Sequence, residues 1–173
     1  MSSSNASLSA FNAYYRKNQR TADRQTLQQL INAFVAANVT ASTSPNLKRV
    51  SDFDDWGTLI SMLNNKSLGS HASLIESILK AFKILLRKDI NRKNMTDRDV
   101  KAIVGTMKSY LHTTDSPGIL MEGANAILNM CYEKENVLFV VDHGGVEILV
   151  QGLKTGSPET VQASCAGALQ SVS

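Results

Sequence analysis

Residues 126–172 read AILNMCYEKENVLFVVDHGGVEILVQGLKTGSPETVQASCAGALQSV, and the spacing of their apolar side chains settles the class of architecture. Val146, Leu149, Val150 and Leu153 fall at i, i+3, i+4 and i+7, one stripe of a helix. Gly144 and Gly145 stand just before it, where glycine admits the left-handed backbone of a helix end and a sharp turn into the next helix. A polar break, Thr155 to Pro158, precedes a second helical run carrying Val161, Ala166, Ala168, Leu169 and Val172. Upstream, the segment between Met130 and Val146 has room for one brief extra helix.

The same grammar recurs towards the N-terminus. Trp56, Leu59, Ile60 and Leu63 repeat the stripe, as do Val100, Ile103, Val104 and Met107, at offsets of 44 and 46 residues. Polar stretches follow each, Asn64 to Ser70 and His112 to Gly118. The second helices also superpose. Leu74, Leu79, Ala81, Phe82 and Leu85 shift by 45 onto Ile119, Ala124, Ala126, Ile127 and Met130, and by a further 42 onto the run ending at Val172. Such a chain is expected to stack helical units, each unable to bury its apolar faces alone and each covered by its neighbours.

Further upstream, Leu27, Leu30, Ile31 and Phe34 predict another helix, and Leu8, Phe11 and Tyr15 a shorter one. The expected organisation is a polar, flexible tail over 1–22, a helix and Ser/Thr/Pro linker over 23–51, and repeats over 52–95, 96–143 and 144–173, the last incomplete.

Composition agrees. The 173 residues are 43% hydrophobic and 19% charged, enough apolar matter for one domain. The longest apolar run, Val137 to Val141, is five residues, against the ~18–20 of a membrane span. A formal net charge of +3 names no nucleic-acid or lipid partner, although residues 1–108 carry net +8 and 109–173 net −5. Cys131 and Cys165 lie in apolar helical segments and read as buried thiols of a reducing compartment. No compact apolar signal core opens the chain, so a cytoplasmic protein is expected, with nuclear or cytoskeletal association open. The acid-free residues 1–22, with Arg16, Lys17 and Arg20, also fit the composition of a mitochondrial presequence.

The quoted stretch resembles the armadillo repeat, whose pattern runs Ala-Leu-x-Asn-Leu, then Glu-Asn, then Gly-Gly, then Leu-Val-x-x-Leu. The resemblance covers about 119–173 clearly and extends back to about 52; the first 50 residues carry none and would be an added helical cap. HEAT repeats, the nearest competitor, would not carry the Gly-Gly turn. The resemblance implies an all-α fold, a right-handed superhelix of about three repeats, serving as a binding surface for extended peptides or other proteins.

In that family the third helix of each unit lines a concave groove, and its Asn pairs with a peptide main chain through one donor and one acceptor. Asn129 matches that position; Ile84 and Ser171, its equivalents in neighbouring units, are not Asn. Stepping back four and seven residues adds Asn125 and Glu122, Lys80 and Ser77, and Gly167 and Ser164. The groove would run from basic, at Lys80 and Lys88, to acidic, at Glu122 and Glu133. Import receptors of the family place Trp where this chain has Glu133, so that mode of recognition is not expected. The basic run Arg87, Lys88, Arg92 and Lys93, close after Lys80 and Lys83, could hold phosphates or an acidic protein tail, or be a solvated helix end. No exposed aromatic interleaves with it in sequence, which argues against nucleic acid.

Catalysis is not expected, nor any metal or cofactor. His71, His112 and His143 lie far apart, without HExxH or CxxC spacing, and no GxGxxG, GxxxxGK[ST] or GxSxG occurs. Asp142, His143 and Cys165 could be drawn as a triad, but Cys165 matches core positions of the other units. The expected role is a non-catalytic adaptor or scaffold. The alternative is a structural component of a large assembly, such as a cytoskeletal or flagellar one. Leu169 and Val172, close to Ser173, predict an apolar edge that continues into further repeats or docks another chain.

Overall fold

The computed structural model describes residues 8–19, 21–38, 53–65, 71–113, 117–154 and 157–173, and no strand occurs among them. Among the described residues ten helices follow in order: α1 Leu8–Asn18, α2 Arg24–Asn38, α3 Phe53–Leu63, α4 Ala72–Leu85, α5 Asp89–Lys93, α6 Asp97–Tyr110, α7 Pro117–Met130, α8 Lys134–Asp142, α9 Gly145–Gly152 and α10 Glu159–Val172.

Local chemistry sets several of the starts. Before α6, the Thr96 hydroxyl accepts from the Asp99 N–H at 3.3 Å while the Asp99 carboxylate accepts from the Thr96 N–H at 3.0 Å, a reciprocal capping box. Asp23 accepts from the Thr26 N–H at 2.8 Å at the head of α2, and the Thr26 hydroxyl and amide hold its carboxyl below the ordinary range. Pro117 opens α7, where its missing N–H costs nothing. Gly144, at φ 79°, makes the left-handed turn from α8 into α9. A Cβ on Gly145 would sit 2.8 Å from the Val140 carbonyl oxygen, so the turn needs both glycines.

The helices pack in two rows. In one, α2, α4, α7 and α10 lie against each other in chain order; in the other, α1, α3, α6 and α9 do so, and each row partner packs on its neighbour in the opposite row. The short α8 closes over α6, α9 and α10. Helices α4, α7 and α10 each have 14 residues, and they begin 45 and 42 residues apart, the shifts read from sequence. One apolar core runs from Leu8 to Ala168, with Phe11, Phe34 and Phe82 among its largest members.

The N-terminal region departs from expectation. Within the polar tail expected over 1–22, Leu8–Asn18 is helical and buries Leu8 and Phe11, the short helix that the apolar spacing predicts. With α2 it extends both rows by one layer. Gln28, Asn32, Ser73 and Ser77 tie α2 to α4, with Gln28 donating to the Ser77 hydroxyl at 2.8 Å and Ser77 donating to Asn32 at 3.0 Å. The linker expected at 39–51 lies outside the described residues.

The predicted stripes of α2, α3 and α6 are core: Ile31, Phe34, Leu59, Val100, Ile103 and Met107 are fully buried. The stripe of α9 requires correction. Leu149 is buried, but Val150 and Leu153 are 49% and 40% exposed. The inward face of α9 is instead Gly145, Ile148, Leu149 and Gly152. In α6 the matching Val104 and Met107 are enclosed because further helices pack around it; no described element lies beyond α9.

Candidate functional site

The last carbonyls of a helix have no intrahelical donor, and short connections leave them in need of side chains. At the end of α4, Asn129 of α7 donates to the Lys83 carbonyl at 2.8 Å, and Asn91 donates to that of Leu85 at 2.7 Å. Arg92 donates to the carbonyls of Leu86 and Arg87 at 3.1 and 2.9 Å. Arg87 in turn reaches back to the Asn38 carbonyl, at 3.2 Å, at the end of α2. Asn136 repeats the arrangement one unit later, bonding the carbonyls of Met130 at 3.0 Å and Arg92 at 2.9 Å.

Several residues expected to grip a ligand therefore hold the fold. Asn129 spends an amide N–H on α4. Glu122 does not line an open groove: it is 2% exposed and forms an ion pair with Lys83 at 2.5 Å, which joins α7 to α4. The basic run is not one cationic patch. Arg87 and Arg92 point at carbonyls, Lys88 stands at the N-cap of α5, and Lys93 pairs with Asp89 at 3.2 Å on the surface. The Lys93 ammonium and the Ile90 N–H hold the Asp89 carboxyl below its ordinary range.

What the structure does bring together is Arg87, Arg92, Asn129 and Tyr132, around an open cleft of about 280 Å³ floored by Leu86. Tyr132 is 72% exposed, and its ring lies over the Arg92 guanidinium, 5.5 Å from centroid to Cζ. This is a cation–π contact that fixes an aromatic face at the mouth of the cleft. Glu133, at the N-cap of α8, comes within 3.9 Å of Arg92 and marks the acidic side. Sequence reading missed Tyr132, finding no aromatic near the basic run because its partner is 40 positions away. Asn125 sits half-buried one turn before Asn129 on α7. Lys80 lines a separate cleft of about 300 Å³ with Asn32, Glu76 and Ser77, between α2 and α4.

Elsewhere the chemistry is sparse. Cys131 and Cys165 are buried and form no disulfide, and burial pushes both thiols up to about 11. His143 faces Asp97 across 2.7 Å, linking the α8–α9 turn to the head of α6, rather than forming a set with Asp142 and Cys165. Among the described residues no His/Cys/Asp/Glu group could hold a metal ion, and no helix is long and apolar enough to cross a membrane.

Comparison with family models and with curated proteins returns no match. Among solved structures, the chain is similar to an engineered protein whose crystal structure superposes with a TM-score of 0.74 at 19% identity, over 95% of this chain and 62% of that one. The chain thus spans less than two thirds of that protein's length, and the likeness extends to the helical fold alone.

Proposed function

We propose that the chain is a non-catalytic protein-interaction module, built as an armadillo-like right-handed superhelix of about three repeats behind an N-terminal helical pair. It presents the row α2, α4, α7 and α10 to an extended peptide or protein segment in the cytoplasm. Support for the repeat reading comes from the two rows in chain order, the 45- and 42-residue spacing, and the positive φ of Gly144. The observation that carries the binding reading is the cleft between α4 and α7, where exposed Tyr132 is held over Arg92 beside Arg87 and Asn129. Such a constellation suits a peptide whose acidic side chain meets the guanidinium groups and whose apolar neighbour packs on the phenol ring. Asn125, half-buried on the same helix, would meet that peptide's main chain through its amide.

Fluorescence anisotropy with arrayed acidic and basic peptides tests this. Acidic peptides with an apolar neighbour should bind and weaken with salt, and Tyr132→Ala should lose about tenfold in affinity, equivalent to ~1.4 kcal/mol. No preference between acidic and basic peptides, or an unchanged affinity in Tyr132→Ala, would remove the cleft as the site.

A second reading, a structural component of a large assembly, is favoured by one observation: Leu138, Val141, Val150 and Leu153 are all exposed on α8 and α9 or just after them. Co-sedimentation with an assembly in the absence of any peptide affinity would select it.

A further inference from the structure

Matched positions in successive layers have opposite exposures. Val104 and Met107 of α6 are 1% and 0% exposed, while their α9-layer counterparts Val150 and Leu153 are 49% and 40%. On the other row, Leu79 of α4 and Ala124 of α7 are fully buried, and Ala166 of α10 is exposed. Ile127 and Met130 are at 0%, whereas Leu169 and Val172 are only partly buried. The difference is not one of composition, since the residues are apolar in every layer. It is one of cover: α6 and α7 carry α9 and α10 on this side.

From this continuity we infer that the uncovered side of α9 and α10 is a docking surface for a pair of amphipathic helices, laid on it as α9 and α10 lie on α6 and α7. The proposal rests on the stacked-unit reading above. Two helices are required because the uncovered residues belong to both rows, and a single helix would leave either Val150 and Leu153 or Ala166 and Leu169 in water. Leu138 and Val141 of the neighbouring α8 are exposed as well, at 64% and 47%. Charge adds a further specification. The exposed ionic residues of α8, α9, α10 and their connections are Glu135, Asp142, Glu147 and Glu159 against Lys134 and Lys154, so a pair with basic flanks is preferred. The chain's first layer does not supply such an apolar pair, because the exposed residues of α1 and α2 include Arg16, Lys17, Arg24, Gln25 and Gln29.

The test extends the full chain with a second copy of residues 131–173 after Ser173, carrying Glu135→Lys, Asp142→Lys, Glu147→Lys and Glu159→Lys in the added copy alone so that the added pair has basic flanks, and follows amide hydrogen exchange. Exchange in the original α9 and α10 should slow by about tenfold or more, and dye binding to exposed apolar surface should fall. Val150→Glu with Leu153→Glu should leave the melting of the unextended chain unchanged yet remove that slowing. Unchanged exchange in the extended chain overturns the proposal. So does a dimer of the unextended chain in sedimentation velocity that the same two substitutions dissolve, since it assigns the face to a second copy. Failure of the stacked-unit reading shows differently, as fast exchange at the inner faces of α4, α6 and α7 in the unextended chain.

Discussion

Asn91 and Asn136, 45 residues apart, make the same bond: each donates its side-chain amide to the carbonyl six residues earlier, Leu85 at 2.7 Å and Met130 at 3.0 Å. Both are buried, at 1% and 2% exposure. The bond adds a side-chain donor to a helix-end carbonyl that also accepts a turn N–H, from Lys88 at Leu85 and from Glu133 at Met130. Asn136 goes further, since it also takes the Arg92 carbonyl at 2.9 Å and so pins one layer to the next.

Removing either amide takes one of two donors from a helix-end carbonyl, leaving the backbone N–H of Lys88 on Leu85 and that of Glu133 on Met130. Asn91→Ala and Asn136→Ala should cost ~0.5–1.5 kcal/mol in urea unfolding for each bond lost, with an unchanged slope and Asn136→Ala the larger because it gives up two bonds. Equal losses, or losses under ~0.5 kcal/mol, would show that the backbone donors alone satisfy these carbonyls.

The period of the fold was legible because burial imposes it: Trp56, Leu59, Val100, Ile103 and Met107 are apolar for the reason that helices cover them. Val150 and Leu153 were misread for the complementary reason, since a stripe records what a unit is built to meet and not whether a described neighbour meets it. The layer made by α1 and α2 left little trace in the repeat pattern because its bonds to α4 run through Gln28, Asn32 and Ser77, residues with no periodic signature. The resemblance picks out Asn129 as an amide that bonds a main chain, but which main chain it binds is a tertiary fact, and here it is that of Lys83. Tyr132 could not be linked to Arg92 by spacing, because the turn after α7 and the end of α5 meet only when the layers stack.

The Lys83–Glu122 pair offers a sharper electrostatic test. Glu122 is almost wholly buried, while the Lys83 side chain keeps 18% of its surface. Glu122→Gln leaves an ammonium that can partly swing to water, so the loss should fall below the roughly 3–5 kcal/mol of breaking a fully buried pair. Lys83→Met combined with Glu122→Leu should recover most of it. A double variant as unstable as the single one in a denaturant cycle would mean that the pair matters for shape rather than charge.

Position-matched truncation separates cover from composition. Met107→Ala and Leu149→Ala each empty a buried site and should cost ~2–5 kcal/mol. Leu153→Ala, at the position matching Met107, should change stability by less than ~0.5 kcal/mol, as an exposed substitution does. A large loss at Leu153 would mean that α9 is more deeply packed in solution than its exposure indicates.

Alkaline pH provides the last test, through the two thiols. Burial lifts Cys131 and Cys165 from an ordinary 9.0 to about 11, with the Ser171 hydroxyl offsetting part of the effect at Cys131. Because the folded-state value lies above the unfolded one, the fold prefers the protonated thiol. The stability this supplies is whole below pH ~9 and is lost as pH climbs through ~11. With each raised by about two pH units, the loss is on the order of 2–3 kcal/mol per thiol. A Cys131→Ala/Cys165→Ala variant should therefore be less stable than the parent at pH 7.5, from the lost packing, and the gap should narrow as pH rises from 9 to 11. Every other titrating group is common to both proteins, so the changing difference reports the thiols alone. Iodoacetamide should label the parent slowly at pH 7.5, at the rate of local opening. A constant gap across that window, together with rapid labelling at neutral pH, would place the thiols in contact with water and would loosen the packing of α10 against α9, where Cys165 fills the space beside Gly152.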